Sequence, residues 1–353
     1  MKNNIYDRLG EIQNKIPENS ALLIEDQLNL FYFTGIQLSA GSLLITPQEA
    51  QLFVDGRYLE ICQKESCINS AALETDNIIL FFVFHKIDLL FFDSGKTSYR
   101  RYTELSQDLE IKLRPFNEGL CQFRKIKDHN EIKLLQQAAE LGTQGYNFIK
   151  RQLKEGVSEK ELAQQLKLFW IGEGAEDLAF ESCIAFGDNS AFPHHHPSDH
   201  MLKNNNIILA DIGVKKNGYC SDMTRMLSFG NVCPEILKIY DIVLEAQMAA
   251  LKYCRAGITA GDLDKAAREV ILKHGYGEYF THGLGHGIGL EVHEFPYISH
   301  REKVKDTILE ENMIITIEPG IYLPGIGGVR LEDSVVVQKN GIINLSKAPK
   351  SLI

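Results

Sequence analysis

The feature that most narrows the folds open to this 353-residue chain is an internal repeat in its second part. Gly156-Val157-Ser158-Glu159-Lys160-Glu161-Leu162 is echoed by Gly257-Ile258-Thr259-Ala260-Gly261-Asp262-Leu263, an offset of 101 residues. Each reads as a helix C-cap glycine, a β-branched residue and a capping box that opens the next helix. Further along, Ile207-Ile208-Leu209-Ala210-Asp211-Ile212-Gly213 is echoed by Ile314-Ile315-Thr316-Ile317-Glu318-Pro319-Gly320, an offset of 107 residues. In each, an apolar strand ends in a carboxylate with a turn glycine soon after. Two matches in the same order, at nearly equal offsets, predict a duplicated α+β domain with pseudo-twofold symmetry. Each half reads helix, helix, then antiparallel strands, and each strand set delivers a carboxylate to the same relative place.

The repeat is preceded by a different pattern. Ala21–Ile24, Gly41–Ile45, Gln51–Val54, Ile78–Phe84 and Asp88–Phe92 are apolar runs of strand length bounded by Asn, Asp, Gly and Pro, while Met1–Ile16 and Tyr99–Leu109 read as helices. This predicts an α/β N-terminal domain over 1–124 with a mixed sheet. At Phe123–Asp128 the chain turns basic and a long helical pattern begins, with Asp128 and Glu131 spaced as a capping box, so the second domain is expected over 125–353.

Charge removes several classes of function. With 37 Lys+Arg against 47 Asp+Glu the formal charge is −10, which argues against a protein that tracks nucleic-acid phosphates. The most apolar stretch, Ile78 to Phe92, is broken by His85, Lys86 and Asp88, so no membrane span is expected. The N-terminus lacks the continuous apolar segment of a secretory signal, and the seven cysteines have no C-x-x-C spacing. These readings point to a cytoplasmic protein with unpaired thiols; a zinc site on Cys62 and Cys67 would lack its other soft ligands.

The chemistry sits in the repeat. Asn217-Gly218 suits a type I′ hairpin turn, because both positions need positive φ. That register pairs Lys216 with Tyr219, sets Asp211 opposite Thr224, and puts Asp222 on the same face as Asp211, a diagonal pair about 7–8 Å apart by Cα. Two acids on such a face repel unless a proton or a cation intervenes. On this hairpin alone, one acid could instead turn to solvent or pair with Arg225. The second half adds Glu318 and Glu332. Between the pairs lies Thr281-His282-Gly283-Leu284-Gly285-His286-Gly287-Ile288-Gly289-Leu290-Glu291-Val292-His293-Glu294, where four glycines let a histidine-bearing backbone approach closely. Four carboxylates with one imidazole suit two divalent cations of hard to borderline character. His282 and His286 are four apart but lack the glutamate of H-E-x-x-H, so a helical zinc-protease motif is rejected. The run His194-His195-His196 between Pro193 and Pro197 reads as a loop that could place one ring over a site.

LADIGVKKNGYCSDMTR, THGLGHGIGLEVHEFP, TIEPGIYLPG and GGVRLEDS resemble the signature blocks of the Xaa-Pro peptidases, aminopeptidase P and prolidase, which are dinuclear metallopeptidases of the pita-bread fold. FGDNSAFPHHHP resembles the block that carries a substrate-side histidine in that family. YFTGI and VDGRY resemble the creatinase-type N-terminal domain. The resemblance implies five metal ligands, Asp211, Asp222, His286, Glu318 and Glu332, for two divalent ions, with Mn²⁺ favoured by the oxygen-rich set and Co²⁺ or Zn²⁺ as alternatives. It also implies that Glu318 is the general base, that His194, His282 and His293 face the substrate, and that Arg330 is a basic residue near the site. His195 and His196 match no functional position and read as loop.

Two activities share these blocks: release of a first residue ahead of proline, and cleavage of Xaa-Pro dipeptides. A dipeptidase has to bind a free carboxylate, for which a guanidinium is suited. Many relatives read H-E-x-P-R, whereas this chain has His293-Glu294-Phe295-Pro296-Tyr297. That departure favours the aminopeptidase, with prolidase as the alternative if Arg301 compensates. A non-catalytic binding module on the same fold is a third reading, which the five ligand types disfavour. The expected partners are peptides with proline in second position and a second copy of the chain in a homodimer, with neither nucleic acid nor membrane.

Overall fold

The computed structural model describes residues 2–109, 111–117 and 119–352. Contacts divide the chain into two compact units, Met1–Arg124 and Lys125–Ile353. The first unit runs α1 (Lys2–Gln13), β1 (Ser20–Ile24), α2 (Gln27–Thr34), β2 (Ser42–Ile45), β3 (Ala50–Val54), α3 (Leu59–Glu65), β4 (Asn69–Ala72), α4 (Thr75–Phe84), β5 (Leu89–Phe92), α5 (Tyr99–Asp108), β6 (Lys112–Pro115) and α6 (Cys121–Arg124). Its strands make one mixed sheet in the order β4-β3-β2-β1-β5-β6. Ile78–Phe84, expected as a strand, lies in α4 instead. The run is apolar at every position, so periodicity cannot separate strand from helix there. Topology decides, because β4 and β5 run in the same direction and joining parallel strands takes a crossover, usually helical. Phe81 and Phe82 enter the core while Leu80, Val83 and Phe84 remain exposed.

The second unit opens on the capping box read from Asp128 and Glu131. The Asp128 carboxylate accepts from the N–H groups of Asn130 and Glu131, and the Glu131 carboxylate accepts from the Asp128 N–H at 3.0 Å. There follow α7 (His129–Gln152), α8 (Glu159–Gly172), β7 (Asp177–Leu178), β8 (Cys183–Phe186), β9 (Asn206–Ile212), β10 (Val214–Lys216), β11 (Tyr219–Cys220) and β12 (Met223–Phe229). The second half has α9 (Pro234–Tyr253), α10 (Ala260–Lys273), β13 (Gly285–Gly287), β14 (Glu294–Ile298), β15 (Ile314–Ile317), β16 (Gly320–Leu323), β17 (Gly327–Arg330), β18 (Asp333–Gln338) and β19 (Gly341–Asn344).

The duplication shows in matched contacts. Ser158 and Thr259 each cap a helix, and each makes an isolated bridge, to Met201 and to Ile308. The N–H of Gly156 donates to the carbonyl of Leu202 at 2.9 Å, and that of Gly257 to Leu309 at 2.8 Å. Both glycines have the left-handed backbone expected of them (φ 85° and 87°), but they stand beyond the C-caps Leu153 and Cys254 rather than at them. The strands assemble as β12-β9-β8 in one half and β14-β13-β15-β18-β19 in the other. Leu209 and Met226 of the first half share a single apolar core with Ile239, Val243, Ile315 and Val335 of the second. That shared core fixes the two strand sets against each other. None of the seven cysteines forms a disulfide, and no described helix is long and apolar enough to cross a membrane.

Candidate metal centre

The first hairpin forms in the register its turn dictates. Lys216 pairs with Tyr219 and Asp211 with Thr224, while Asn217 (φ 52°) and Gly218 (φ 82°) supply the two left-handed turn positions. Arg225 does not pair with either acid of this hairpin. It is buried, with its Nη2 donating to Asp333 Oδ1 at 2.7 Å.

Asp222, His286 and Glu332 converge, with one donor atom from each lying within 4.8 Å of the others. All three are buried. His286 Nε2 lies 3.6 Å from Asp222 Oδ2 and 3.4 Å from Glu318 Oε1. Its Nδ1 lies 3.0 Å from the Gly287 carbonyl, and a carbonyl can only accept, so Nδ1 carries the hydrogen. Burial and the neighbouring His293 push the His286 imidazole down to about 3, so the ring is neutral and Nε2 presents a lone pair toward two carboxylates. Acceptors facing acceptors in a buried site call for a cation between them. The glycines permit the approach: a Cβ at Gly285 would come within 2.1 Å of the Thr316 carbonyl oxygen.

The carboxylates carry the same signature. Burial, reinforced by Glu332 and Asp211, raises the Asp222 carboxyl well above its ordinary range, and burial with Glu318 and Asp211 does the same to Glu332. Burial pushes Glu318 up to about 8, against the opposing pull of Arg330. Glu332 Oε2 accepts from the Thr224 hydroxyl at 2.7 Å, and Asp211 Oδ2 accepts from Arg330 Nη2 at 2.7 Å. The other oxygen of each, Asp211 Oδ1 and Glu332 Oε1, is buried without a hydrogen-bond partner among the described residues. Buried carboxyl oxygens without a partner beside a neutral imidazole fit a divalent-cation site.

A hydrogen-bonded chain braces the centre. Arg330 donates to Asp211, to the Tyr322 hydroxyl at 2.9 Å, to the Thr224 hydroxyl at 3.1 Å and to the Pro193 carbonyl at 3.3 Å. With its guanidinium so occupied, Arg330 acts on Asp211 before it acts on any ligand. His282 Nδ1 donates to the Gly283 carbonyl at 2.8 Å, which leaves Nε2 to accept from the Tyr322 hydroxyl at 2.9 Å. Burial and the nearby Arg330 push His282 down to about 4, keeping it neutral.

One cavity of about 1040 Å³ collects these groups. Its lining includes His194, His282 and His293 with the four acids and one imidazole of the expected ligand set, and also Tyr297 and Arg301. The His293 ring stands 4.2 Å from that of His286. His195 lies in a loop, as read from sequence, and is held there at 2.8 Å from the buried Glu159. Thr224, Tyr322 and Glu159 escaped the sequence reading. For Thr224 the hairpin register carried a signal, since it faces Asp211; the other two offered none.

This fold and this constellation fit a protein built to hold divalent metal. The description of metallopeptidase family M24 matches residues 133–339, and that of the creatinase/prolidase N-terminal domain matches residues 8–126. The chain belongs to metallopeptidase family M24, whose members use divalent metal ions. It is 37% identical to the Xaa-Pro dipeptidase of Pyrococcus horikoshii over 351 residues, 98% of this chain and 99% of that one. Among solved structures, the Xaa-Pro dipeptidase from Bacillus anthracis superposes with a TM-score of 0.93 at 34% identity, covering 99% of each chain. The X-Pro aminopeptidase from Thermotoga maritima superposes with a TM-score of 0.90 at 34% identity, covering 97% of this chain and 99% of its own. The architecture is thus the one expected from sequence, a creatinase-type unit followed by a pita-bread catalytic unit.

Proposed function

We propose that the protein hydrolyses the bond between a residue and a following proline, using two divalent cations held by Asp211, Asp222, His286, Glu318 and Glu332. The observation that carries this reading is the neutral imidazole of His286 with its lone pair among buried, partly unpartnered carboxylates. Bound there, such cations lower the pKa of water toward neutrality and offset charge that develops on the cleaved carbonyl. The residues around them have separate tasks. Arg330 holds one oxygen of Asp211 and leaves the other free for a cation. Thr224 does the same for Glu332. Glu318, at the cavity wall, takes the proton from the attacking water, as the family resemblance implies. His194 and His293 have no side-chain hydrogen bond among the described residues and line the cavity, so they are the imidazoles assigned to the substrate carbonyl. His282 is assigned a bracing role through Tyr322.

Of the two activities, cleavage of Xaa-Pro dipeptides has the stronger support, although Tyr297 favours the aminopeptidase. Arg301 and Lys303 line the cavity and form no ion pair among the described residues, which leaves two cations for a substrate carboxylate. The name of the Pyrococcus relative points the same way. Aminopeptidase activity is the second reading, favoured by Tyr297 and by the Thermotoga neighbour. The cavity exceeds what a dipeptide fills, so charge rather than room sets the preference. Mn²⁺ is the proposed metal because oxygen donors dominate. Seven cysteines without a disulfide support a reducing, cytoplasmic setting, and a homodimer is proposed on the family resemblance. The test is a substrate panel after Mn²⁺ reconstitution. Faster turnover of Xaa-Pro dipeptides than of Xaa-Pro-Xaa tripeptides is expected; the reverse order establishes the aminopeptidase, and cleavage of neither removes the Xaa-Pro reading.

A further inference from the structure

Glu159 lies outside the cavity lining and His195 lies in it beside His194, and together they hold the segment that brings His194 to the cavity. Glu159 is the first residue of α8 and is 0% exposed. A carboxylate so placed stays charged only if its surroundings supply donors, and five reach it. Its Oε1 accepts from the Phe186 N–H at 2.7 Å and from Asn189 Nδ2 at 2.9 Å. Its Oε2 accepts from His195 Nε2 at 2.8 Å, from the Ser198 N–H at 3.0 Å and from the Ser198 hydroxyl at 2.6 Å. Burial alone would push the Glu159 carboxyl up, but the bonds from Ser198, Asn189, His195 and Phe186 outweigh it and hold the group below its ordinary value.

These bonds exceed what a helix end requires. Ser158 and Glu161 already form a complete capping box on α8. All five donors come instead from one stretch, residues 186–198, with His194 inside it. On the other side of His194, the Pro193 carbonyl accepts from Arg330 at 3.3 Å. The same stretch is backed by the second half, where the Gly328 N–H donates to the Ser190 hydroxyl at 2.8 Å.

We propose that Glu159 and His195 are positioning residues for His194: with Arg330 on Pro193, they pin both sequence neighbours of that imidazole and aim it into the cavity. The inference rests on the reading of His194 as a substrate-side group. The other half of the fold meets the same demand with different residues. Asp264 of α10, also 0% exposed, accepts from the Leu284 N–H at 3.0 Å, from His300 Nδ1 at 3.0 Å and from Arg268 Nε at 2.8 Å. Arg268 in turn donates to the carbonyl of His282 at 2.7 Å. The repeat counterpart of Glu159 is Ala260, so Asp264 is not a retained copy of the same side chain. Each half uses one buried acid and one histidine to fix the loop that carries its cavity histidines.

The test uses the full chain reconstituted with Mn²⁺ and the variants His195→Leu and His195→Gln, each alone and combined with His194→Ala. His195→Leu leaves Glu159 four of its five donors, so the fold survives. Its kcat on an Xaa-Pro dipeptide is expected to fall about tenfold or more with KM little changed, since misplacement of a group by about 1 Å can cost a hundredfold. His195→Gln, which can still donate N–H to Oε2, restores most of the loss. In the His194→Ala background, His195→Leu costs nothing further, because the two act as one unit. Amide hydrogen exchange over 187–198 quickens in His195→Leu, recovers in His195→Gln, and stays unchanged over 211–224. An equal loss in both backgrounds, or unaltered exchange over 187–198, overturns the proposal. If the wild-type protein cleaves no Xaa-Pro peptide, the proposed activity is what fails, and the exchange measurement still decides whether His195 fixes the segment.

Discussion

Glu332→Gln separates the metal account from any ordinary structural role for this carboxylate. Donor oxygens of Asp222 and Glu332 lie within 4.8 Å of each other, so two full charges there repel by about 3.5 kcal/mol at an effective dielectric of 20. Both carboxyls are raised, so a proton absorbs part of this repulsion, and glutamine should recover the remainder, less than about 3.5 kcal/mol, in the metal-free protein. Glutamine keeps an oxygen for the Thr224 hydroxyl, so that buried donor retains its acceptor. The metal-free variant is therefore expected to melt higher than metal-free wild type, by about 2–4 °C per kcal/mol for a domain of this size. Adding Mn²⁺ reverses the order. Wild type gains about 2.7 kcal/mol at a hundred times its dissociation constant, and the variant gains little.

The pH dependence has a definite sign. A carboxyl raised in the folded state binds extra protons there, so its stabilisation is full below the unfolded value and is lost as pH climbs through the folded one, about 8 for Glu318. Because Glu332→Gln removes one such carboxyl, the gap between metal-free variant and wild type should widen as pH rises above the ordinary carboxylate range. Calorimetry in chelator and in Mn²⁺ reads all of this. A metal-free variant that is less stable than wild type, yet gains as much from Mn²⁺, refutes the reasoning.

Other substitutions probe other links. Arg301→Gln should raise KM for an Xaa-Pro dipeptide about tenfold and leave that for the dipeptide amide nearly unchanged, since a charged hydrogen bond is worth about 1.5–3 kcal/mol; equal effects on both would remove Arg301 from carboxylate binding. Asp333→Ala strips the buried Arg225 of its carboxylate and should cost about 3–5 kcal/mol, read as a lower denaturant midpoint at constant m-value; a loss under 1 kcal/mol would contradict the assigned pairing. Gly285→Ala sets a methyl against the Thr316 carbonyl and should weaken Mn²⁺ binding by displacing His286, which titration calorimetry would show; unchanged affinity would mean that the close approach is not needed.

The sequence exposed what depends on local rules. Asn217-Gly218 dictated a register, and the register alone placed Asp211 opposite Thr224 with Asp222 nearby. The repeat then led to Glu318, because a duplicated strand ends at the same place. Local rules could not reach contacts such as Thr224 with Glu332 or Arg330 with Asp211, whose partners are more than a hundred residues apart and meet only after both halves pack. The bracing role of Tyr322 and the burial of Glu159 belong to the same class. His195 escaped notice because a histidine between two others looks like solvated loop until its partner is known. The helix α4 was hidden for the opposite reason: an unbroken apolar run has no period to read.

Diffraction from crystals grown with Mn²⁺, with data collected at the manganese absorption edge, tests the central claim most directly. Two anomalous peaks are expected among Asp211, Asp222, His286, Glu318 and Glu332, with the oxygens Asp211 Oδ1 and Glu332 Oε1 turned toward them. Crystals that show no peak at those five side chains while binding manganese elsewhere would contradict it.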